Sequence, residues 1–274
     1  MNLLDYNYKI LVRNILKNGV SKRDRTGTGT MSLFGQSIMH DMSEGFPLLT
    51  TKRMAYKSIF AELLWFMRGQ TNIKKLHEMG CHIWDGDWHK SNRINGDLGK
   101  IYGYQWRKGK DQLNSVIEHI RINPSSRRHV VSAWNFEDFD DMILPPCHYS
   151  FVFYSDERGN LSIDVNMRSG DVPLGVPFNI ASYGALLTIV AKMTRHRPKF
   201  LKINITDAHI YKNQVKQIIK QIERRNKYKL PKLVLPDLDY KNMCLDEILD
   251  KLDVNSFQIE NYESHDKLTF PLSN

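Results

Sequence analysis

The sequence predicts an α+β fold in which helices pack against one large mixed β-sheet, within a single domain that spans residues 1–274. Segments with helical spacing of apolar residues interleave with extended segments. The two types do not alternate strictly, so an all-parallel sheet is not expected. The chain is 41% apolar, which suffices for one large core or two small ones. Because there is no internal repeat and no linker rich in Gly, Ser or Pro, one domain is favoured.

Several segments place their apolar residues at the spacing of a helix that packs on a core. Residues 5–18 follow this pattern and stop at Gly19. The strongly apolar residues 55–68 stop at Gly69, a residue type that commonly terminates helices. Further helices are predicted over residues 71–79, 111–122, 179–195 and 208–225.

Extended segments rich in β-branched and aromatic residues occupy much of the second half of the chain. Residues 148–155 and 160–168 flank the turn sequence Asp156-Glu-Arg-Gly159, which predicts a hairpin. Residues 86–99 are predicted to form a polar loop. Further strands are predicted over residues 128–134 and 200–206, and the tail from about residue 232 is predicted to be mostly strand and loop.

Charge and cysteine content restrict the class of protein. The net charge of +9 suits anionic partners, either nucleic acid or small ligands that carry phosphate or carboxylate groups. Cys81, Cys147 and Cys244 lack CxxC spacing, so we expect no disulfide framework, no metal and a reducing compartment. The chain has no run of eighteen apolar residues, and its mixed polar and apolar N-terminus is not expected to be a secretory signal. We therefore expect a cytoplasmic protein that does not enter a membrane.

The segment from Leu144 to His148, Leu-Pro-Pro-Cys-His, is the first candidate for chemistry. Two prolines fix the backbone before Cys147, so the thiol could be held rigidly at the mouth of a site and act as a nucleophile. A buried structural cysteine is the common alternative.

Arginines at predicted strand ends indicate phosphate binding. Arg127 and Arg128 lead into one strand, and Arg168 with Ser169 ends another. A guanidinium group matches two phosphate oxygens at once, so such a cluster suits a phosphate. We also expect nearby arginines to lower the pKa of Cys147. Each arginine taken singly could equally be a surface residue.

Three further features are ambiguous when taken alone. The loop Asp24–Thr30, which alternates Gly and Thr, could close over a phosphate, although it lacks the Walker pattern. Asn179 could cap a buried helix, or offer a donor and an acceptor to a flat heterocycle. Glu62 lies within an apolar helical pattern. It is either a surface residue or a buried carboxyl whose raised pKa suits acid–base catalysis.

These residues fall in ordered sequence blocks that resemble those of the thymidylate synthase family over nearly the whole chain. Blocks of this length in this order are highly specific. The matching blocks are DRTGTGT (24–30), GFPLLTTKR (45–53), ELLWF (62–66), IWD (83–85), YGYQWR (102–107), SRRHVVSAWN (126–135), PPCH (145–148), RSGD (168–171), LGVPFNIASY (174–183), DAHIY (207–211) and FQIENYESH (257–265).

The resemblance implies a thymidylate synthase fold: a homodimer formed through large twisted mixed sheets, in which each active site uses residues of both subunits. It implies dUMP as substrate and 5,10-methylenetetrahydrofolate as co-substrate. Cys147 is implied as the nucleophile that adds to carbon 6 of uracil, and Glu62 as the organiser of proton transfer. The rest of the implied catalytic set is Trp84, Tyr102, Arg168, Asp171 and Asn179.

The resemblance also implies the ligand contacts. Asn179 suits the uracil edge, because family members that use cytosine resemble one another in having Asp there. Arg127 and Arg128 are implied to reach the dUMP phosphate of the partner subunit. The other implied dUMP contacts are Arg25, Arg168 and Ser169 at the phosphate, His148 and Asp171 near the base, and His209 and Tyr211 at the sugar. The implied folate contacts are Lys52, Ile83, Trp84, Leu144, Asp171, Gly175 and Phe178.

The chain departs from the family pattern in places that bear on the final step. It ends Phe-Pro-Leu-Ser-Asn274 instead of in an apolar pair such as Ala-Val. Met167 replaces Gln, Pro173 replaces Phe, and the segment after Trp84 is one residue longer than usual. These positions cluster where water meets the exocyclic methylene intermediate.

Two outcomes of the reaction follow from these departures. Exclusion of water gives dTMP, whereas admitted water gives 5-hydroxymethyl-dUMP and tetrahydrofolate, as in the related phage hydroxymethylases. The synthase is the favoured expectation and the hydroxymethylase is the alternative. A non-catalytic, basic nucleic-acid-binding protein is disfavoured, because the cysteine and arginine set is intact.

Overall fold

A mixed sheet forms the centre of the protein. The computed structural model describes residues 2–91 and 93–273. In this part of the chain the strands are β1 (Val20–Lys22), β2 (Thr30–Asp41), β3 (Val130–Ser132), β4 (His148–Ser155), β5 (Asn160–Asp171), β6 (Arg197–Tyr211), β7 (Lys232–Val234) and β8 (Gln258–Glu260).

Six of these strands form the central sheet in the order β1-β2-β6-β5-β4-β3, and β7 pairs separately with β8. Neighbouring strands of the central sheet are antiparallel except β5 and β6, which are parallel. A parallel pair needs a crossover connection, and here the buried helix Gly175–Met193 provides it. The predicted mixed sheet of an α+β fold is confirmed.

Helices pack on the sheet and on each other. Most of the predicted helices are present, with ends that differ by a few residues. The helices of the described residues are α1 (Leu3–Asn18), α2 (Tyr56–Met67), α3 (Ile73–Glu78), α4 (Asp85–Lys90), α5 (Tyr102–Arg107), α6 (Gln112–Ile122), α7 (Gly175–Met193), α8 (Val215–Glu223) and α9 (Leu245–Lys251).

One face of the central sheet carries the core. Along β5, Leu161, Ile163 and Val165 are fully buried, whereas the residues between them are only partly buried. Helix α1 packs on β2, and α7 packs on β5 and β6. On the opposite face, side chains such as Tyr154 of β4 remain exposed. The alternation therefore separates a helix-covered face from an open face.

Helix α7 is the one described helix that is long and apolar enough to cross a membrane by length and composition. Within the protein, 78% of its most apolar window is buried. Such burial is that of a core helix packed between the sheet and α2.

The hairpin between β4 and β5 forms as predicted. Asp156 accepts hydrogen bonds from the backbone N–H groups of Arg158 and Asn160 at 2.8 and 3.0 Å. Gly159 adopts φ +73°, which a residue without Cβ adopts at little cost. Both strands begin and end close to the predicted residues, although β5 continues to Asp171.

The predicted helix over residues 208–225 was wrong at its start. Residues up to Tyr211 belong to β6, and the helix begins at Val215. The C-terminal end of β6 is extended because it is paired on both sides, with β2 and with β5. Apolar periodicity in the sequence does not reveal such long-range pairing. Ladder hydrogen bonds on two sides outweigh local propensity.

Other differences from the sequence prediction concern a loop, a strand, the tail and Asn179. The predicted loop 86–99 begins as α4, whose acidic first turn and basic last turn complement the helix dipole. The long strand β2 was not predicted. The tail contains α9 in addition to strand and loop. Asn179 does not cap a helix, because α7 already begins at Gly175.

Candidate active site

Two adjoining cavities open at the end of the sheet where β5 and β6 finish. Their volumes are about 450 and 290 Å³. Asn179, Gly175 and Leu144 line both, so the cavities form one continuous cleft. The larger cavity is also lined by Glu62, Ile83, Trp84, Phe178 and Phe270. The smaller cavity is also lined by Arg25, Cys147, Arg168, Ser169, Asp171, His209 and Tyr211.

Cys147 is held at the start of β4 by contacts to its backbone. Its N–H donates to the Tyr102 hydroxyl at 2.8 Å, and its carbonyl accepts from the Arg168 N–H at 2.9 Å. The Arg168 guanidinium donates to the carbonyls of Pro145 and Pro146 at 2.6 and 2.9 Å, and its Nη2 lies 3.8 Å from the Cys147 Sγ. The two prolines thus fix both the thiol and the cation beside it.

The arginines lower the pKa of Cys147, as expected, but they do not set its net direction. Burial raises the pKa of Cys147 above its usual value, and the positive charges of Arg168 and Arg25 with the Tyr102 hydrogen bond offset this only in part. The desolvation of a thiolate in this dense surrounding therefore outweighs the guanidinium field. Residue spacing alone could not reveal how deeply the sulfur is packed.

Glu62 is buried in α2, which decides between the two sequence interpretations. Trp84 donates its indole N–H to the Glu62 carboxylate at 2.8 Å. Burial raises the pKa of Glu62 to about 7, while the Trp84 hydrogen bond works in the opposite direction. A carboxyl group that titrates near neutrality can both accept and donate a proton there.

His148 lies behind the cleft. Its ring stacks on Tyr102 with 4.2 Å between ring centroids, and its Nδ1 lies 2.7 Å from the Tyr183 hydroxyl. Burial lowers the pKa of His148 to about 3, so the imidazole is neutral. His148 lines neither cavity, so it supports the wall that carries Tyr102 and Cys147.

Asp171 ends β5 and lines the smaller cavity. It accepts hydrogen bonds from the Gln214 amide at 3.0 Å and from the Leu174 N–H at 3.1 Å. Burial raises its pKa above the usual value, and the Gln214 hydrogen bond opposes that shift.

Lys52 stands beside the larger cavity. It donates to the Pro173 carbonyl at 2.6 Å and lies 4.5 Å from the centroid of the Phe270 ring. Burial lowers the pKa of Lys52 to about 8. Lys52 therefore contacts Phe270, which forms part of the cavity wall, but Lys52 does not line the cavity itself.

The loop Asp24–Thr30 is ordered by its own aspartate. Asp24 accepts hydrogen bonds from the N–H groups of Thr26 and Gly29 at 2.7 and 2.6 Å. These contacts present Arg25 to the smaller cavity, where Arg168 and Ser169 also lie. Arg127 and Arg128 are exposed and line neither cavity of this chain.

Several residues of the cleft carry no signal of function in the sequence. Gln214 follows the DAHIY block, is fully buried, and donates to Asp171 and to the Pro271 carbonyl. Leu272 lines both cavities and Phe270 lines the larger one. The chain therefore places apolar side chains of its last residues against the cleft, despite lacking the usual apolar pair. Asn274 lies outside the described residues.

The other departures from the family pattern also have structural settings. Met167 is buried in β5 and lines the smaller cavity. Pro173 uses its carbonyl to hold Lys52. The longer segment after Trp84 forms α4, and its Asp87 lines both cavities.

The cleft has the parts of an enzyme that uses a cysteine nucleophile on a phosphorylated ligand: a thiol, arginines and a buried carboxyl that titrates near neutrality. The family model described as thymidylate synthase matches residues 6–274. A curated thymidylate synthase from Mesoplasma florum is 43% identical over 290 residues, which cover 96% of this chain and 97% of that protein. The chain therefore belongs to the thymidylate synthase family.

Proposed function

We propose that the protein transfers the one-carbon unit of 5,10-methylenetetrahydrofolate to carbon 5 of dUMP, giving dTMP and dihydrofolate. The observation that carries this proposal is the position of Cys147. Its sulfur lies 3.8 Å from Arg168 Nη2, in a cavity with Asn179 that opens directly into a larger, apolar cavity. Family membership supports this reaction over other cysteine chemistry.

Cys147 adds as a thiolate to carbon 6 of uracil, which turns carbon 5 into a nucleophile. Arg168 favours this step, because its charge opposes the cost of ionising a buried thiol. Tyr102 fixes the backbone at the nucleophile through its hydrogen bond with the Cys147 N–H. Elimination of the thiolate at the end restores the free enzyme.

Asn179 recognises the base, because its amide offers one donor and one acceptor to the uracil edge. It also stabilises charge that develops on the ring oxygen during thiolate addition. Arg25, Arg168 and Ser169 bind the phosphate, and His209 and Tyr211, at the end of β6, bind the sugar 3′-hydroxyl. We assign His148 a supporting role behind Tyr102.

The larger cavity fits a flat, mostly apolar ligand such as the folate ring system. Ile83, Trp84, Leu144, Gly175 and Phe178 line it. The folate supplies the methylene group and then the hydride. Asp171 lines the smaller cavity, from which it contacts dUMP and the folate bound beside it, and Lys52 supports the Phe270 side of the folate wall.

Glu62 organises proton transfer at the ring. With a pKa raised to about 7 and a hydrogen bond from Trp84, it can exchange a proton near neutral pH. Trp84 therefore serves both the folate wall and the orientation of this carboxyl.

Hydride transfer, not water addition, completes the proposed reaction. The hydroxymethylase alternative raised by the sequence departures is not favoured by the comparisons, since the relative is a thymidylate synthase at 43% identity. The apolar side chains of Phe270 and Leu272 at the cleft support exclusion of water.

The proposed assembly is a homodimer of single-domain chains that meet through their sheets. The open face of the central sheet, with exposed side chains such as Tyr154, suits such an interface. Exposed Arg127 and Arg128 would then contact the dUMP phosphate of the partner subunit. A cytoplasmic location, a reaction without metal, and the absence of membrane or nucleic-acid partners complete the proposal.

Product analysis tests the proposed reaction. The protein is incubated with dUMP and 5,10-methylenetetrahydrofolate, the nucleotide product is identified by mass spectrometry, and dihydrofolate is followed in parallel. We expect dTMP and dihydrofolate in equal amounts. A hydroxymethyl nucleotide with tetrahydrofolate would replace this proposal by the alternative.

Two further experiments test Cys147 as the nucleophile. Cys147→Ser should abolish turnover while dUMP binding remains. In the parent protein, 5-fluoro-dUMP with the folate should trap a covalent adduct on Cys147.

A further inference from the structure

Two histidines and an aspartate converge at the outer edge of the larger cavity. His77 lies in α3, His82 in the following turn, and Asp85 begins α4. His77 Nε2 lies 2.7 Å from Asp85 Oδ1, and His82 Nδ1 lies 3.1 Å from Asp85 Oδ2. The two imidazole rings stack with 4.4 Å between their centroids. The ligand-type atoms of the three side chains all lie within 4.8 Å of one another.

We propose that His77, His82 and Asp85 form a binding site for a divalent late transition metal ion of the Zn²⁺ class. Two imidazoles and a carboxylate are ligands that Zn²⁺ and its neighbours prefer, whereas Mg²⁺ and Ca²⁺ prefer oxygen alone. Zn²⁺ bonds of roughly 2.0–2.2 Å place tetrahedral ligand atoms roughly 3.3 Å apart. The ligand atoms lie within 4.8 Å of one another, so the two stacked rings must rotate towards a common point to enclose an ion.

Metal binding requires no proton acceptor outside the cluster, because each imidazole can move its proton to its other ring nitrogen. A neutral imidazole carries one N–H, and binding requires that the nitrogen facing Asp85 be free of it. In His77 the proton moves to Nδ1 and in His82 to Nε2. Asp85 binds as the carboxylate, whose two oxygens lie 2.7 and 3.1 Å from the facing ring nitrogens. The His82 side chain is 63% exposed, so water can complete the coordination.

The site has a structural consequence for the cleft. Ile83 and Trp84, which line the larger cavity, lie between His82 and Asp85 in the chain. A bound ion would tie α3 to α4 and so hold this segment in place. The expectation of no metal rested on cysteine spacing, which is blind to a site made of histidines and an aspartate. This proposal departs from that expectation. It does not depend on the proposed reaction.

Calorimetric titration of the full-length protein with Zn²⁺ tests the site. We expect saturable binding of one ion per chain and no competition by Mg²⁺ or Ca²⁺. His77→Gln and His82→Gln should each weaken binding about 100-fold, since loss of a group that only orients a ligand already costs roughly 10- to 100-fold. His89→Gln is the matched control, because His89 is an exposed histidine of the same segment outside the cluster, and it should bind as the parent does.

Cys147 and the exposed Cys244 are competing ligands and must be excluded. The absorption spectrum of the Co²⁺-loaded protein shows whether a thiolate binds the metal, because thiolate coordination produces an intense charge-transfer band that nitrogen and oxygen ligands lack. The expected spectrum has no such band and is the same in Cys147→Ser. Thermal unfolding confirms that each variant is folded, and His82, being exposed, tolerates replacement. Absence of saturable binding overturns the proposal and leaves the cluster as hydrogen-bonded side chains only. Binding by folded His77→Gln and His82→Gln that is as tight as in the parent protein does the same.

Discussion

Trp84 donates its indole N–H to Oε1 of Glu62 at 2.8 Å, across the wall of the larger cavity. The carboxyl is buried, and its pKa is raised to about 7 from an ordinary value of 4.5. The hydrogen bond favours the ionised form, whereas burial favours the neutral form and is the stronger influence. The proton on Glu62 is therefore coupled to the position of Trp84.

Replacing Glu62 by Gln should remove a pH dependence of stability. The folded protein keeps the proton of Glu62 between pH 4.5 and about 7, whereas the unfolded chain has lost it. The free energy of unfolding therefore falls as pH rises through this window, by about 3 kcal/mol for a buried carboxyl with such a shift. Glu62→Gln should lack this fall in denaturant titrations at several pH values. Identical curves for the two proteins would contradict the buried carboxyl.

Trp84→Phe should shift the pH dependence of stability that arises from Glu62. Loss of the indole donor removes the interaction that lowers the pKa of Glu62, so the pKa should rise further above 7. The midpoint of the stability decline then moves to higher pH in Trp84→Phe. A midpoint that moves to lower pH would mean that Trp84 does not stabilise the ionised carboxylate.

Arg168 should set the reactivity of Cys147 in the absence of ligand. Its charge is the largest influence that opposes burial, so Arg168→Ala should raise the thiol pKa further. Alkylation at fixed pH should slow by about tenfold for each unit of that rise. The rate of iodoacetamide modification against pH measures this. Arg168→Lys keeps the charge and should recover part of the rate.

The alkylation experiment has two controls. Cys244 is exposed and caps α9, so Cys244→Ser removes a competing thiol while keeping a good capping residue. Arg121→Ala removes a guanidinium that also binds backbone carbonyls, those of Tyr240 and Met243, but lies outside the cleft. Equal slowing in Arg121→Ala and Arg168→Ala would show that the effect does not arise from the charge beside Cys147.

The sequence predicts the chemistry of the cleft better than its surroundings. Cys147 and Arg168 could be found because prolines, cysteine and arginine form short, unusual patterns, and because ordered blocks resemble one family. Their joint position in one cavity agrees with that interpretation. The net direction of the Cys147 pKa could not be predicted, because it depends on packing from several elements.

Other parts of the fold could not be predicted because they depend on long-range pairing. The segment with His209 and Tyr211 has an apolar pattern that favoured a helix, yet β2 and β5 hold it in the sheet on both sides. Gln214 has no distinctive neighbours in the sequence. Its role in the cleft arises only because Asp171 and the tail meet it in space.

Asn179→Asp should change the preference for the base. The carboxylate offers only acceptors at neutral pH, which leaves a uracil acceptor unpaired but suits the amino group of cytosine. An unpaired buried polar group costs about 1–3 kcal/mol, so the ratio of kcat/KM for dUMP to that for dCMP should fall by about 10- to 100-fold. Competition assays with both nucleotides measure this ratio, and an unchanged ratio would remove Asn179 from base recognition.

Gln214→Leu should weaken folate binding, and by more than the accompanying loss of folding stability would cause. Gln214 bridges Asp171 and the Pro271 carbonyl, so its loss leaves a buried carboxylate with one donor fewer and frees the tail. Charge-assisted hydrogen bonds contribute about 1.5–3 kcal/mol, which corresponds to an increase of about 10-fold or more in the KM for folate. Steady-state kinetics with dUMP saturating measure it.

Gln221→Leu is the matched control for this change. Gln221, in α8, is also fully buried and also uses its amide in a side-chain hydrogen bond, at 2.9 Å to Thr51, but this bond involves neither Asp171 nor the tail. Both variants should lose stability to a similar extent, and only Gln214→Leu should raise the KM for folate. A similar KM in both variants would indicate that Gln214 acts through stability alone.

Leu272→Ala should admit water to the cleft. Leu272 lines both cavities, at the boundary between the proposed base and folate positions. Removing most of its side chain takes away apolar contact with the folate and opens a path for water, which competes with hydride for the exocyclic methylene group. The fraction of 5-hydroxymethyl-dUMP among the products should therefore rise, and the KM for folate should increase by about tenfold.

The control for this change lies in the same tail. Leu268 packs on the core but lines neither cavity, so Leu268→Ala should reduce stability without altering the product ratio. Mass spectrometry of the nucleotides distinguishes the two variants. If Leu272→Ala yields dTMP alone, water must be excluded by deeper groups such as Trp84 and Phe178, because these also line the larger cavity. In that case the unusual tail of this chain has no part in choosing hydride over water.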